Sequence, residues 1–289
     1  MVTTYNEPNT IYKCVSSLLP QMSLQDELLL VSPDDNAKKI LEKNLPSIAQ
    51  LRFIKDEGKG KPAALNLALK EAKNEILVLT DGDVFVDKNA LSELLKPFSD
   101  NSVGAVTGHP VSLNKKDNML GYWSHFLTDA AHNVRMKCLE NKSFIECSGY
   151  LYAFKRNLIS EVPLDVLSDD AVISHLIAST GSKITYAPES YVYVKYPNNF
   201  SDWLKQKVRS AGGFAQEYIK SSPFKMRTVL FEGTHGFVFA LKYPKSIKQF
   251  FWMLCLFLAR IYLWFQVFVN VRVLNKPFSS LWVRIESTK

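Results

Sequence analysis

Short apolar runs alternate with helix-patterned stretches through the first part of the chain, and the last of them, ILVLTDGDVFVD (76–87), breaks onto two aspartates. DELLLVSP (26–33) reads as a buried strand stopped by Pro33, and NAKKILEKNL (36–45) as a helix. LRFIK (51–55) is another short strand, and PAALNLALKEAK (62–73) a helix with proline in its first turn. EILVLTDGD (75–83) is the next strand, and NTIYKCVSSLL (9–19), after Pro8, is helical. Strands alternating with helices imply an α/β chain whose central sheet is mostly parallel and covered on both faces. Ligands on such sheets bind beyond the carboxyl ends of the strands, where both Asp34–Asp35 and Asp81–Asp83 fall. The opening MVTTYNEP offers only Met1 and Val2 before polar turn residues, against about five residues in a typical strand. Either the first strand is short or upstream residues extend it.

Asp81 and Asp83 repel each other unless a cation, a proton or open water relieves them. A solvated turn around Gly82 satisfies that condition, and so does a bound metal. The formal net charge of +7 points to an anionic partner. Because the lysines are spread along the chain and no DNA- or RNA-binding signature appears, nucleic acid is not expected. At 289 residues with 47% hydrophobic content, the chain builds one large domain or a domain with an appendage. Cys14, Cys138, Cys147 and Cys255 lie far apart and read as free thiols of a reducing compartment, with no structural zinc. No secretory leader is expected, since the N-terminus lacks a basic flank followed by a long apolar run.

Further along, VGAVTGHPVSL (103–113) reads as strand and 118–137 as helix. FIECSGYLYAFKRNLI (144–159) reads as strand, turn and strand, and DDAVISHLIAS (169–179) as helix. ITYAPESYVYV (184–194) reads as two short strands, and 200–220 as helix.

Taken in order, several of these pieces resemble an inverting family-2 glycosyltransferase with a GT-A fold. TYNEP (4–8) matches that family's entry motif, and GKGKPAALNLALKEAKNEILVLTDGD (58–83) its helix leading to the aspartate pair. CSGYLYAFKRNLI (147–159) resembles the acceptor-side segment, SDD (168–170) the threonine-glutamate-aspartate motif, and QKVRSAGG (206–213) the QxxRW motif of polymerising members. The resemblance spans about residues 3–213. It implies a nucleotide-sugar donor and a divalent cation, Mg²⁺ or Mn²⁺, held against the departing diphosphate by Asp83, and by Asp81 directly or through the ribose.

By the same resemblance Asp170 is the base that takes the proton of the attacking hydroxyl; a helix-capping role for Asp169 and Asp170 also fits their place. Thr4, Tyr5 and Glu7 are expected to cradle base and ribose, with Asp34 or Asp35 a further contact and Gly82 within the donor site. Lys61, with Lys59 in a glycine-rich turn, places a cation near phosphate, and Arg209 is a candidate diphosphate clamp. Ser148, Gly149, Asp169 and Gln206 fall on the acceptor side, and Asn66 is expected to brace the loop rather than touch ligand. Ser210 stands where the family has tryptophan, which favours addition of one or a few sugars over processive synthesis. Trp203 replaces that ring only if the helix is rotated. The five histidines show no metal spacing and read as packing or surface residues.

QFFWMLCLFLARIYLWFQVFVNV (249–271) is long enough to cross a bilayer, which takes about 20 residues. Arg260 interrupts it, and with Lys245, Lys248, Gln249, Gln266 and Asn270 it falls within an arc of roughly 120° on a helix. That stripe suits an in-plane helix with basic residues facing headgroups, or one packed beside another helix. Trp252, Tyr262, Trp264 and Trp282 suit an interface, and VLFEGTHGFVFAL (229–241) is a candidate second interfacial element. The expected division is a catalytic domain over 1–222, cytoplasmic, and a membrane-associated helical tail over 223–289. A polyprenyl-linked or glycan acceptor and membrane lipids are the partners this implies. A processive polysaccharide synthase is the alternative enzyme, and a non-catalytic nucleotide-sugar-binding or membrane scaffold protein the alternative of another class.

Overall fold

The computed structural model describes residues 1–45, 50–213, 216–224, 226, 238–276 and 284–288. Its eight strands form one sheet in the order β3-β2-β1-β4-β7-β6-β8-β5. The parallel half is β1 (Val2–Thr3), β2 (Leu28–Ser32), β3 (Leu51–Lys55) and β4 (Ile76–Asp81). Helices α1 (Ile11–Leu18), α2 (Asn36–Asn44) and α3 (Lys61–Glu71) make the crossovers. A two-residue β1 is sufficient at the centre because the ladder continues past it. Met1 N donates to Val78 O, Thr80 N to Met1 O, Gly82 N to Thr3 O and Thr4 N to Val31 O.

Alternation along β2 splits the core. Leu29 and Val31 join the cluster with Leu65, Leu77 and Phe154, whereas Leu28 and Leu30 join that of Val2, Ile11 and Leu41 on the other face.

The second half contains two strands that run against the others, β7 and β5. Strand β7 (Leu151–Lys155) runs antiparallel to both β4 and β6 (Val103–Ser112), so its first residue lies beside the last residues of β4. Strand β8 (Lys183–Val194) pairs parallel with β6, and β5 (Phe85–Val86), followed by helix α4 (Ala90–Leu95), closes the edge antiparallel to β8. The sheet is therefore mixed, with its parallel part on the N-terminal side.

Three sequence expectations are corrected here. Residues 144–150 are not a strand. Their N–H groups go to side chains instead of a ladder: Glu146 N to Met226 Sδ, Cys147 N to Ser174 Oγ, Ser148 N to Thr107 Oγ1 and Gly149 N to Asp170 Oδ2. Residues 184–194 belong to one strand, not two. Its register against β6 jumps between Thr107–Tyr186 and His109–Tyr191, and the looped-out stretch holds Pro188, which has no N–H to offer a ladder. The helix expected over 200–220 is α7 (Phe200–Gly212) followed by the single turn α8 (Glu217–Lys220). A Cβ on Gly213, just past α7, would lie 2.3 Å from Ser168 Oγ, so only glycine lets that end approach the next helix.

That helix is α6 (Asp169–Ser179), and α5 (Met119–Glu140) covers the sheet beside it. The chain then returns in a tail helix, Ile247–Phe268, capped by Ser246, whose side chain accepts from Gln249 N. Met253, Leu256 and Ala259 pack on Tyr122, Trp123, Phe126 and Trp203, while Leu263 and Val267 pack on Ala211 of α7. Trp123 Nε1 donates to Trp252 O at 2.7 Å. The opposite face leaves Phe251, Leu254, Leu258, Phe265 and Phe268 exposed.

Of the two arrangements open to the tail's polar stripe, the structure adopts packing against helices. At about 100° per residue, Arg260 falls on the same side as the buried Met253, Leu256 and Val267. The face left outward is the apolar one, with Phe251, Leu254 and Leu258 exposed. Residues 238–242 are helical; 229–237 and Trp282 lie outside the described residues.

Candidate active site

A cavity of about 1300 Å³ opens beyond the carboxyl ends of β1 and β4 and runs under α7 to the tail helix. On the donor side it is lined by Thr4, Tyr5, Glu7, Lys61, Asp81 and Asp83. The β1–β4 pairing sets Thr3 opposite Asp81, and Thr3 Oγ1 donates to Asp81 Oδ1 at 3.4 Å. Thr4 Oγ1 donates to Glu7 Oε2 at 3.0 Å. Gly82 sits beneath this pair: a Cβ there would lie 2.6 Å from Glu7 Oε2 and 2.8 Å from Thr4 Cβ, so no other residue fits without moving both.

Three expected donor residues do not line the cavity. Gly82 contributes backbone and space. Asp34 holds the turn before α2, accepting from Asn6 N at 3.1 Å and Asn36 N at 2.9 Å. Asp35 turns outward to Lys55 Nζ at 3.1 Å. Asp56 lines the cavity on that side and was not anticipated.

Lys61 ties the two acidic groups together. The loop before α3 passes through Gly58 and Gly60, both at positive φ (69° and 99°), which delivers Lys61 into the cavity as the first residue of the helix. Its Nζ lies 2.8 Å from Asp81 Oδ1 and 3.4 Å from Asp169 Oδ2. Burial alone would lower its pKa, but Asp169, Asp81 and Asp170 together more than offset this and raise it. Lys61 therefore stays charged across the neutral range.

Asp170, in the first turn of α6, accepts from Gly149 N at 2.7 Å through Oδ2 and from Ala171 N at 2.9 Å through Oδ1. Burial is the main cause raising its pKa, and Asp169 adds to it; Lys61 and the two N–H donors pull the other way. Gly149 is packed close enough that an added Cβ would meet Asp170 Oδ2 at 3.1 Å. Asp170 thus satisfies an N–H in the first turn of α6 while lining the cavity. Asp169 Oδ2 is buried and makes no hydrogen bond among the described residues, and so is Gln206 Oε1 on α7. Ser148, Gly149, Asp169, Asp170, Gln206 and Arg209 all line the cavity.

Asn66 stays out of it, as expected: it bridges Val162 with two hydrogen bonds, both 2.7 Å, and braces the loop ahead of α6. Trp203 is buried against Trp123, with ring centroids 5.2 Å apart, and is no part of the lining. His109 bonds Pro188 O, and His132 bonds Tyr186 OH. His175 bonds Ser222 Oγ while edging the cavity. No three metal-binding side chains cluster among the described residues, so a cation here would rest on Asp81 and Asp83 alone. That pair fits a hard divalent ion that takes its remaining ligands from phosphate and water.

The family described as "Glycosyltransferase like family 2" matches residues 1–213, which hold every cavity residue named so far. The chain belongs to glycosyltransferase family 2. This glycosyltransferase is 24% identical over 251 residues to a poly-β-1,6-N-acetyl-D-glucosamine synthase of Staphylococcus aureus, covering 80% of this chain and 58% of the synthase. It is 26% identical over 235 residues to the Staphylococcus epidermidis synthase, covering 74% and 53%. The chain thus spans little more than half the length of these relatives.

Among solved structures it resembles mannosyltransferase PcManGT from Pyrobaculum calidifontis, in complex with GDP-Man and Mn²⁺. The TM-score is 0.58 at 22% identity, covering 96% of this chain and 82% of that one. It also resembles GalNAc-T7 with UDP, GalNAc and Mn²⁺, at TM-score 0.52 and 15% identity, covering 68% and 42%. These likenesses establish the α/β GT-A-like fold. Sequence reading of this glycosyltransferase missed the far wall of the cavity, where Arg135 of α5 and Arg260, Trp264, Arg272 and Arg284 of the C-terminal segment take part. The mid-helix charge of Arg260 was its only signal.

Proposed function

We propose that this glycosyltransferase moves a sugar from a nucleotide-sugar donor onto a hydroxyl of a lipid-linked or glycan acceptor, with inversion. One observation carries the reading. Asp81, at the end of β4, and Asp169–Asp170, at the start of α6, face one cavity and are joined through Lys61. Thr4, Tyr5 and Glu7 hold the nucleotide side, and Arg209 meets the diphosphate. Asp83 and Asp81 hold a Mg²⁺ or Mn²⁺ ion, which when bound offsets the charge of the leaving diphosphate. Asp170, fixed by Gly149 and Ala171, receives the proton of the attacking hydroxyl. Ser148, Gly149, Asp169 and Gln206 shape the acceptor's place.

The test is release of nucleoside diphosphate from a panel of nucleotide sugars. The expected result is release that depends on Mg²⁺ or Mn²⁺, stops with chelator and rises when an acceptor is added. Binding without release under all these conditions would favour the scaffold reading instead.

Ser210, exposed on α7 at the tryptophan position of the polymerising motif, supports addition of one or a few sugars. The similarity to the staphylococcal synthases favours the second reading, a processive synthase. Product length at limiting enzyme separates them: short products throughout support the first, long chains beside unused acceptor the second.

The tail supports a reading in which this work is done at a membrane. Ile247–Val273 reaches a mean hydropathy of 1.8, and only 28% of that window is buried. We read the tail (223–289) as membrane-associated, with the catalytic part (1–222) in the cytoplasm. Expected is recovery in the membrane fraction, with release by detergent rather than by high salt. Full recovery in the soluble fraction contradicts it.

A further inference from the structure

Arg260 stands in the middle of the most apolar segment of the chain, where a charge is costly unless it has a polar place to go. The structure supplies one. The residue sits on the packed side of the tail helix, half-buried, and lines the same cavity as Asp81 and Asp170. One turn on, Leu263 packs against Ala211, two residues from Arg209, which lines the cavity from α7. The cavity thus gathers carboxylates from β4 and α6 and arginines from α7 and the tail into one lining. A guanidinium forks onto two oxygens at once, a geometry that matches phosphate, the group a nucleotide-sugar or a phosphate-bearing acceptor brings to this cavity.

We propose that Arg260 binds a phosphate-type oxyanion inside the transfer cavity, so that the helix facing the membrane also completes the site. This rests on the reading of the cavity as the place of sugar transfer. The oxyanion comes either from the nucleoside diphosphate or from a phosphate carried by the acceptor.

The experiment measures binding, without turnover, on the full chain in detergent. Arg260→Gln, Arg260→Lys and the parent are titrated with UDP and GDP in the presence of Mn²⁺, and separately with a short-chain isoprenyl phosphate. A tenfold or larger loss of affinity in Arg260→Gln, partly restored in Arg260→Lys, is the expected result. The arm in which it appears identifies the source. Affinities within twofold of the parent in both arms overturn the proposal.

Leu258→Ser, on the exposed face of the same helix, is expected to keep both affinities. An equal loss there would assign the effect to helix seating and also overturn the proposal. Because no turnover is read, a failure of the transfer reading and a failure of this one appear in different measurements.

Discussion

Asp170→Asn is expected to lower the transfer rate by roughly 10²–10⁴-fold, the range a positioned general base supplies, while donor affinity stays within a few-fold of the parent. Asparagine keeps the size of the side chain and one acceptor oxygen, so it holds one of the two bonds from Gly149 N and Ala171 N and gives up the other. That lost bond costs about 1–3 kcal/mol in stability, which thermal unfolding would register separately. What is lost is the capacity to take a proton. Single-turnover rates beside nucleotide-sugar titrations check this, and retained turnover would remove Asp170 from the mechanism.

The parent's pH profile carries the same argument. Burial and Asp169 raise the Asp170 pKa, and only its ionised form is a base. Activity therefore falls as pH drops through a midpoint above the ordinary aspartate range. For stability the sign is opposite. A folded-state value above the unfolded one gives a contribution present at low pH and lost as pH rises through the folded value.

Lys61→Met is expected to have the second-largest effect. It leaves Asp81 and Asp169 without the ammonium that lies 2.8 and 3.4 Å from them. Removing one partner of a buried ion pair costs roughly 3–5 kcal/mol, and with Lys61 still about a quarter exposed the lower end applies. Because Lys61 holds the Asp170 pKa down, its loss should also move the acid limb of activity further upward. Thermal unfolding and a pH–rate profile of the variant test both parts. An unmoved acid limb would mean that Lys61 acts on Asp81 alone.

What the sequence revealed depended on how local the cause was. Strands β2, β3 and β4 are continuous apolar runs with turn residues at their ends, so pattern alone locates them. The segment 144–150 is as apolar as a strand, yet its donors are claimed by Thr107, Asp170, Ser174 and Met226, which come from distant parts of the chain. No local pattern records that. The two short strands expected over 184–194 are one, because the bulge at Pro188 interrupts the ladder without ending the strand.

At the site, Thr4, Glu7, Lys61, Asp81, Asp83, Asp170 and Arg209 stand out through motifs whose order survives over two hundred residues. Asp34 and Asp35 share the acidic character but are consumed by a turn and by Lys55. The wall made by the returning C-terminal segment was hidden, because its approach is a matter of helix packing rather than of spacing.

The reversed strand β7 has a further consequence. Thr80 lies opposite Leu151 across the β4–β7 ladder, and Thr80 Oγ1 donates to Tyr150 O at 2.7 Å. Asp81 follows the first of these residues, and the peptide gripping Asp170 precedes the second. The spacing between Asp81 and the peptide that holds Asp170 is thus gauged by backbone rungs, and on the proposed reading this sets the distance between departing group and attacking hydroxyl. A slip of one rung would change it by about 3.4 Å, more than a reacting pair tolerates. Lengthening the surface turns should leave chemistry intact, whereas an insertion within either rail should silence it.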